Sequence, residues 1–182
     1  MADRDHQELY KSVKKMAERS VLIDVQPLTV AQGGAVGEAL VAIIDGVPDA
    51  LYGVKNQDGA PGAVLYTFVW VRGGVFGVLE VMRPAETDAQ PPETKGWIRP
   101  LSSISKIEVA VKVVPVQPLS FDAQVLLGIK VLWPDGESIV LDGTAPLIGA
   151  NEAATALDEV VRRVLRSVGA EVSEDDSSVD RR

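Results

Sequence analysis

Two rhythms of apolar and polar residues run along this chain, a helical one at its ends and a strand-like one between them. Over residues 5–19, Leu9, Val13 and Met16 recur at helical spacing, and Tyr10 and Ala17 widen the stripe. Asp3 or Asp5 is placed to cap this segment, and Lys14, Lys15 and Arg19 sit near its end, where the helix dipole favours cations. The pattern predicts a short helix lying on the domain. A sharper reading makes it a docking or oligomerising helix, with Leu9, Val13 and Met16 meeting a partner. Val21, Ile23 and Val25 then alternate with other residues up to Pro27, as a strand would. Residues 32–37 are glycine-rich and read as a turn, and the apolar run 38–44 reads as a strand because Asp45-Gly46 and Val47-Pro48-Asp49 punctuate it quickly. A short strand is expected over 51–55 and a loop over 56–62.

The centre of the chain is strand material. Residues 64–71 are rich in β-branched and aromatic side chains, Arg72-Gly73-Gly74 suits a tight hairpin, and 75–82 returns. Residues 83–96 carry three prolines, three acids and no large apolar group, which predicts a solvated loop. A short strand over 97–101 is broken by Pro100. Ile107, Val109, Val111 and Val113 alternate with Lys106, Glu108, Ala110 and Lys112, predicting a strand with one apolar and one mostly charged face. A further strand over 121–133 meets the turn Pro134-Asp135-Gly136 and pairs back through 138–141.

The helical rhythm returns over 152–168. Ala153, Ala156, Leu157, Val160, Val161, Val164, Leu165 and Val168 form a wide apolar stripe, with Asn151 as N-cap and Gly169 placed as the residue that ends the helix. The expected fold class is therefore α+β: a mainly antiparallel β-barrel or sandwich of about seven strands, capped by a C-terminal amphipathic helix and preceded by an N-terminal one. The expected organisation is a helix over 1–20, a single β-rich domain over 21–169 and an acidic disordered tail over 170–182.

Composition narrows the function. The chain has 182 residues, 46% hydrophobic and 24% charged, as an ordinary folded domain has. Its formal net charge of −8 disfavours nucleic acid and anionic lipid. It contains no cysteine, which excludes disulfides, thiolate catalysis and zinc–cysteine sites. Residues 1–19 show no signal-peptide core, and the run 39–44 is too short to span a bilayer, so a cytoplasmic protein without stable membrane insertion is expected. The richness in Ala, Val, Gly and Arg suggests a GC-rich bacterial genome.

Candidate chemistry is sparse. The single histidine, His6, lies in the polar N-terminal helix and reads as a surface residue. Ser102, Ser103, Ser105 and Lys106 are neighbours, but adjacency along a strand sends side chains to opposite faces, so a Ser–Lys dyad is not expected. Glu80 and Glu108 read as solvent-facing strand residues, and Asp135 and Asp142 as turn residues. Gly33-Gly34-Ala35-Val36-Gly37 lacks the Lys-Ser/Thr pair of a phosphate loop, and Asp45-Gly46 and Asp58-Gly59 lack the ligand period of a calcium loop. No catalytic, cofactor or metal site is expected. Trp97, which follows a polar loop, is the tryptophan expected to face a partner.

The order of elements resembles the pleckstrin-homology-like (PH-like) barrel, as in its bacterial versions. The resemblance rests on antiparallel ribbons, a strand entered through residues 98–108, a Pro-Asp-Gly hairpin and a closing amphipathic helix, and it covers residues 36–168. It implies a non-enzymatic protein-interaction or assembly module, acting on a protein partner or by self-association into a homo-oligomer. Members that bind phosphoinositides need Lys and Arg in the first hairpin loop. Here residues 47–50 and 56–63 contain no base, which speaks against lipid headgroups. The alternatives are a small barrel binding an apolar molecule in a valine-lined cup, and a cystatin-like or polyketide-cyclase-like enzyme.

Overall fold

A computed structural model describes residues 2–20, 28–56, 64–83, 92–115, 123–144 and 151–175. Helices α1 (Ala2–Ser20) and α2 (Val30–Ile44) come first. Strands β1 (Ala50–Asn56), β2 (Val64–Arg72), β3 (Val75–Arg83) and β4 (Glu93–Pro100) form a four-stranded antiparallel sheet in sequence order. A 3-10 turn (Leu101–Ser103) leads to β5 (Lys106–Pro115), β6 (Ala123–Leu132) and β7 (Ser138–Asp142), a three-stranded antiparallel sheet, and helix α3 (Asn151–Asp175) closes the described chain. The β4 and β5 strands belong to different sheets, so the arrangement is an open sandwich and not a closed barrel.

The hairpins follow their turn residues. Gly73 takes φ +54 between β2 and β3, and its N–H donates to Asp49 Oδ2 at 2.7 Å. Gly136 takes φ +88 after Pro134-Asp135, and its N–H donates to the Trp133 carbonyl at 3.0 Å. Both β2–β3 and β6–β7 pair as the alternation predicts.

The glycine-rich stretch corrects the sequence reading. Residues 32–37 are not a turn and 38–44 are not a strand; both lie inside α2. The Thr29 hydroxyl accepts the Gln32 N–H at 3.2 Å, and Gln32 Oε1 accepts the Thr29 N–H at 3.0 Å, a reciprocal cap that starts the helix. One of its glycines permits close packing on α1: a Cβ on Gly37 would lie 2.7 Å from the Tyr10 ring. At the far end Asp45 is left-handed (φ 53), and Arg72 Nη1 donates to the Ile44 carbonyl at 2.7 Å.

Strands β1–β3 of the larger sheet are buried on both faces, whereas most of β4 is exposed. One face presents Leu51, Tyr66, Phe68, Trp70, Leu79 and Val81 to Val13 of α1 and to Val36, Leu40, Val41 and Ile44 of α2. The alternate residues Ala50, Tyr52, Val69, Val71, Phe76 and Val78 pack with α3 and with Ile129, Val131 and Leu141 of the second sheet. The α3 stripe fills this second core, with Val160, Val161 and Val164 fully buried.

Other expectations shift at the edges. Helix α3 does not stop at Gly169 but runs to Asp175, into the expected tail; Gly169 is not among the glycines at positive φ, and an interior glycine costs a helix only about 1 kcal/mol. Asp3 and Asp5 lie within α1, which begins at Ala2, and so do not cap it. The loop expected over 83–96 is shorter, since β3 reaches Arg83 and β4 begins at Glu93. The strand expected over 21–26, Asp58-Gly59 and residues 176–182 lie outside the described residues.

Candidate docking surface

The antiparallel register of the second sheet places Ile107, Val131 and Ile139 side by side, then Val109, Ile129 and Leu141, then Val111 with Leu127, then Val113 with Val125. Directly opposed residues share a face, so this side of the sheet is apolar throughout. Helix α3 covers only one end of it. Val131, Ile129 and Leu141 are 0–3% exposed, whereas Val109 is 49%, Val111 60%, Val113 62% and Val125 49% exposed. The hairpin β5–β6 thus carries bare valines beyond the core. A single helix stripe is too narrow to cover so wide an apolar face.

The outer edge of β5 is also open: β5 pairs with β6 on one side and with no described strand on the other. Both faces of its central part are exposed. The opposite, polar face holds Lys106, Glu108, Ala110 and Lys112. Lys106 Nζ donates to Glu108 Oε1 at 2.8 Å. That hydrogen bond and the Lys106 charge, helped by Lys130 opposite, hold the Glu108 carboxyl below the usual carboxylate range.

At the other end of the interior an aromatic cluster ties the two sheets together. Trp97 and Trp133 meet edge to face with centroids 5.2 Å apart, and Phe76 lies 5.9 Å from Trp97 and 5.5 Å from Trp133. The Arg99 guanidinium lies 5.2 Å from both indole centroids and reaches Asp135 Oδ2 at 2.7 Å. Burial pushes the Asp135 carboxyl up, but the Glu137 N–H and the Arg99 guanidinium hydrogen-bond to it and bring it below its ordinary range. The Trp133 Nε1–H is buried and meets no acceptor among the described residues.

These placements separate the residues expected to meet a partner. Val13 is fully buried, and Leu9 and Met16 are packed against the same cluster, so the α1 stripe lies on the chain's own sheet and α2. Trp97 is half-buried in the aromatic cluster. The bare valines of β5 and β6 lie elsewhere and were not singled out from the sequence. Their signal was present in the count of apolar positions on one face, set against the width of the α3 stripe.

The candidate chemical groups do not converge. Ser103 Oγ donates to the Pro100 carbonyl at 2.7 Å, and Ser105 Oγ to the Leu132 carbonyl at 2.9 Å. Glu80 pairs with Lys95 at 3.2 Å, and Asp142 Oδ1 accepts from the Thr144 N–H and hydroxyl at 2.9 and 2.6 Å. His6, on the surface as expected, links α1 to α2 through Glu38 at 3.0 Å. Among the described residues no three His, Asp or Glu side chains group as a metal site would, and no helix is long and apolar enough to cross a membrane. Comparison of the chain with protein-family models, curated proteins and solved structures finds no significant match.

Proposed function

We propose that this chain is a non-enzymatic docking module of PH-like type that binds an extended protein segment along β5. The observation that carries the reading is the coincidence of an open strand edge with bare valines on the same ten-residue strand. An edge supplies backbone hydrogen bonds, and pockets for alternate side chains supply selectivity. The order of four strands, three strands and a closing helix supports the PH-like assignment. The polar face of β5 carries Lys106 and Lys112 as well as Glu108, which favours a segment that brings both an acid and a base between its apolar residues.

The test is an NMR titration of the full chain with a synthetic extended peptide bearing valine at alternate positions. Amide shifts confined to β5 and β6 are expected, and Val111→Lys should remove them while leaving the remaining spectrum in place. Shifts absent from β5, or unchanged by Val111→Lys, overturn the reading.

A further inference from the structure

The charges on β5 are arranged as their own complement. Reading outward from Ala110, Val109 and Val111 flank it, then Glu108 on one side and Lys112 on the other, then Ile107 and Val113. When two copies of this strand run antiparallel with Ala110 facing Ala110, Glu108 of each copy stands opposite Lys112 of the other. Val109 then faces Val111, and Ile107 faces Val113. Resting on the docking reading above, we infer that the segment bound along β5 is β5 of a second copy, giving a two-fold dimer with three strands from each copy in one continuous sheet.

The neighbouring registers are worse in ways the side chains specify. Centring the pair on Val109 sets Lys106 opposite Lys112, a repulsion made twice by the symmetry. Centring it on Val111 sets Glu108 opposite Val114 and leaves both charges without a cross-strand partner, and it brings Pro115, which has no N–H to donate, into the paired stretch. In the Ala110 register the overlap runs over 106–114 and Pro115 falls outside it. Glu108, Ala110 and Lys112 are all exposed; Lys112 Nζ makes one long, exposed contact, 3.4 Å to the Thr144 carbonyl, which it would exchange for the partner strand's carboxylate. The Lys106–Glu108 contact lies along the same strand and leaves the second carboxylate oxygen of Glu108 available to Lys112 of the other copy. Directly opposed residues share a face, so the bare valines of the two copies join into one apolar band flanked by their own kind.

The test uses the full chain in sedimentation velocity over a wide concentration range. A monomer–dimer equilibrium is expected, with Glu108→Lys or Lys112→Glu alone weakening it by roughly three- to thirtyfold, because each reversal makes two like-charge contacts. The double variant Glu108→Lys/Lys112→Glu should restore the affinity to near that of the parent. Because the chain has no cysteine, Ala110→Cys provides an independent reading: it should form an intermolecular disulfide under mild oxidation at concentrations where Ala123→Cys does not. A chain that stays monomeric throughout overturns the dimer, while the docking reading survives if β5 still takes the valine peptide. A dimer indifferent to all three charge variants and to the site of the cysteine overturns the β5 interface.

Discussion

Gly77 is the position at which the packing makes its sharpest demand. It sits opposite Trp70 in the β2–β3 register, and a Cβ placed there would overlap two carbon atoms of the indole. Trp70 is 1% exposed and enclosed by the core it shares with α1 and α2, so a rigid ring must move for Gly77→Ala to be accommodated. Forcing one extra carbon into a packed core typically costs about 1–3 kcal/mol. Against this, alanine restricts the unfolded chain and returns about 0.4–1 kcal/mol. The net expectation is a destabilisation of about 1–2 kcal/mol. For a chain of this size that corresponds to a fall in Tm of roughly 2–8 °C. Urea and thermal unfolding measure it, and near-UV circular dichroism should change with the Trp70 environment. Gly74→Ala is the control: it meets no atom within 4 Å and its φ is not positive, so it should be neutral or slightly stabilising. Gly77→Ala within about 0.5 kcal/mol of the parent, the ordinary scatter of a neutral surface change, would show that the indole does not lie over this glycine.

Two further outcomes follow from the capping and aromatic contacts. Thr29→Ala removes the reciprocal cap of α2 and should cost about 1 kcal/mol in urea unfolding, whereas Thr29→Ser should retain most of the stability; equal losses would show that the hydroxyl is not what holds the helix start. The Asp135 carboxyl titrates below its unfolded value, so its contribution is present above the ordinary carboxylate range and is lost as pH falls through the folded value; tryptophan fluorescence should report loosening around Trp97 and Trp133 in that acidic window, and Asp135→Asn should lose that step, so superimposable profiles for the two proteins would refute it.

Much of the fold was legible because local signals and tertiary packing agree. The Pro134-Asp135-Gly136 turn, the Arg72-Gly73-Gly74 hairpin and the α3 stripe are each determined by residues close in sequence. Helix α2 was hidden because two opposed cues coincide: glycines at 33, 34 and 37 mimic a turn, and apolar residues on nearly every side mimic a buried strand. The Thr29–Gln32 cap was the cue that separates them, since it has meaning only at a helix start. The end of α3 was misplaced because a glycine marks a terminus only where the backbone turns left-handed. The β5 surface was legible as a pattern but not as a site. Alternation tells which residues share a face, and whether that face is covered depends on where a helix forty residues away comes to rest.

The last turn of α1 closes one margin of the larger sheet. Ser20 is buried; its Oγ donates to the Ala17 carbonyl at 3.0 Å and accepts the Gly53 N–H of β1 at 2.7 Å. One hydroxyl thereby plugs a donor on the outermost strand of the larger sheet, and a foreign strand could lie there only by evicting a helix terminus from the interior. Strand addition at β1 therefore meets a plug, whereas β4 at the far margin of the same sheet has no described strand beyond it.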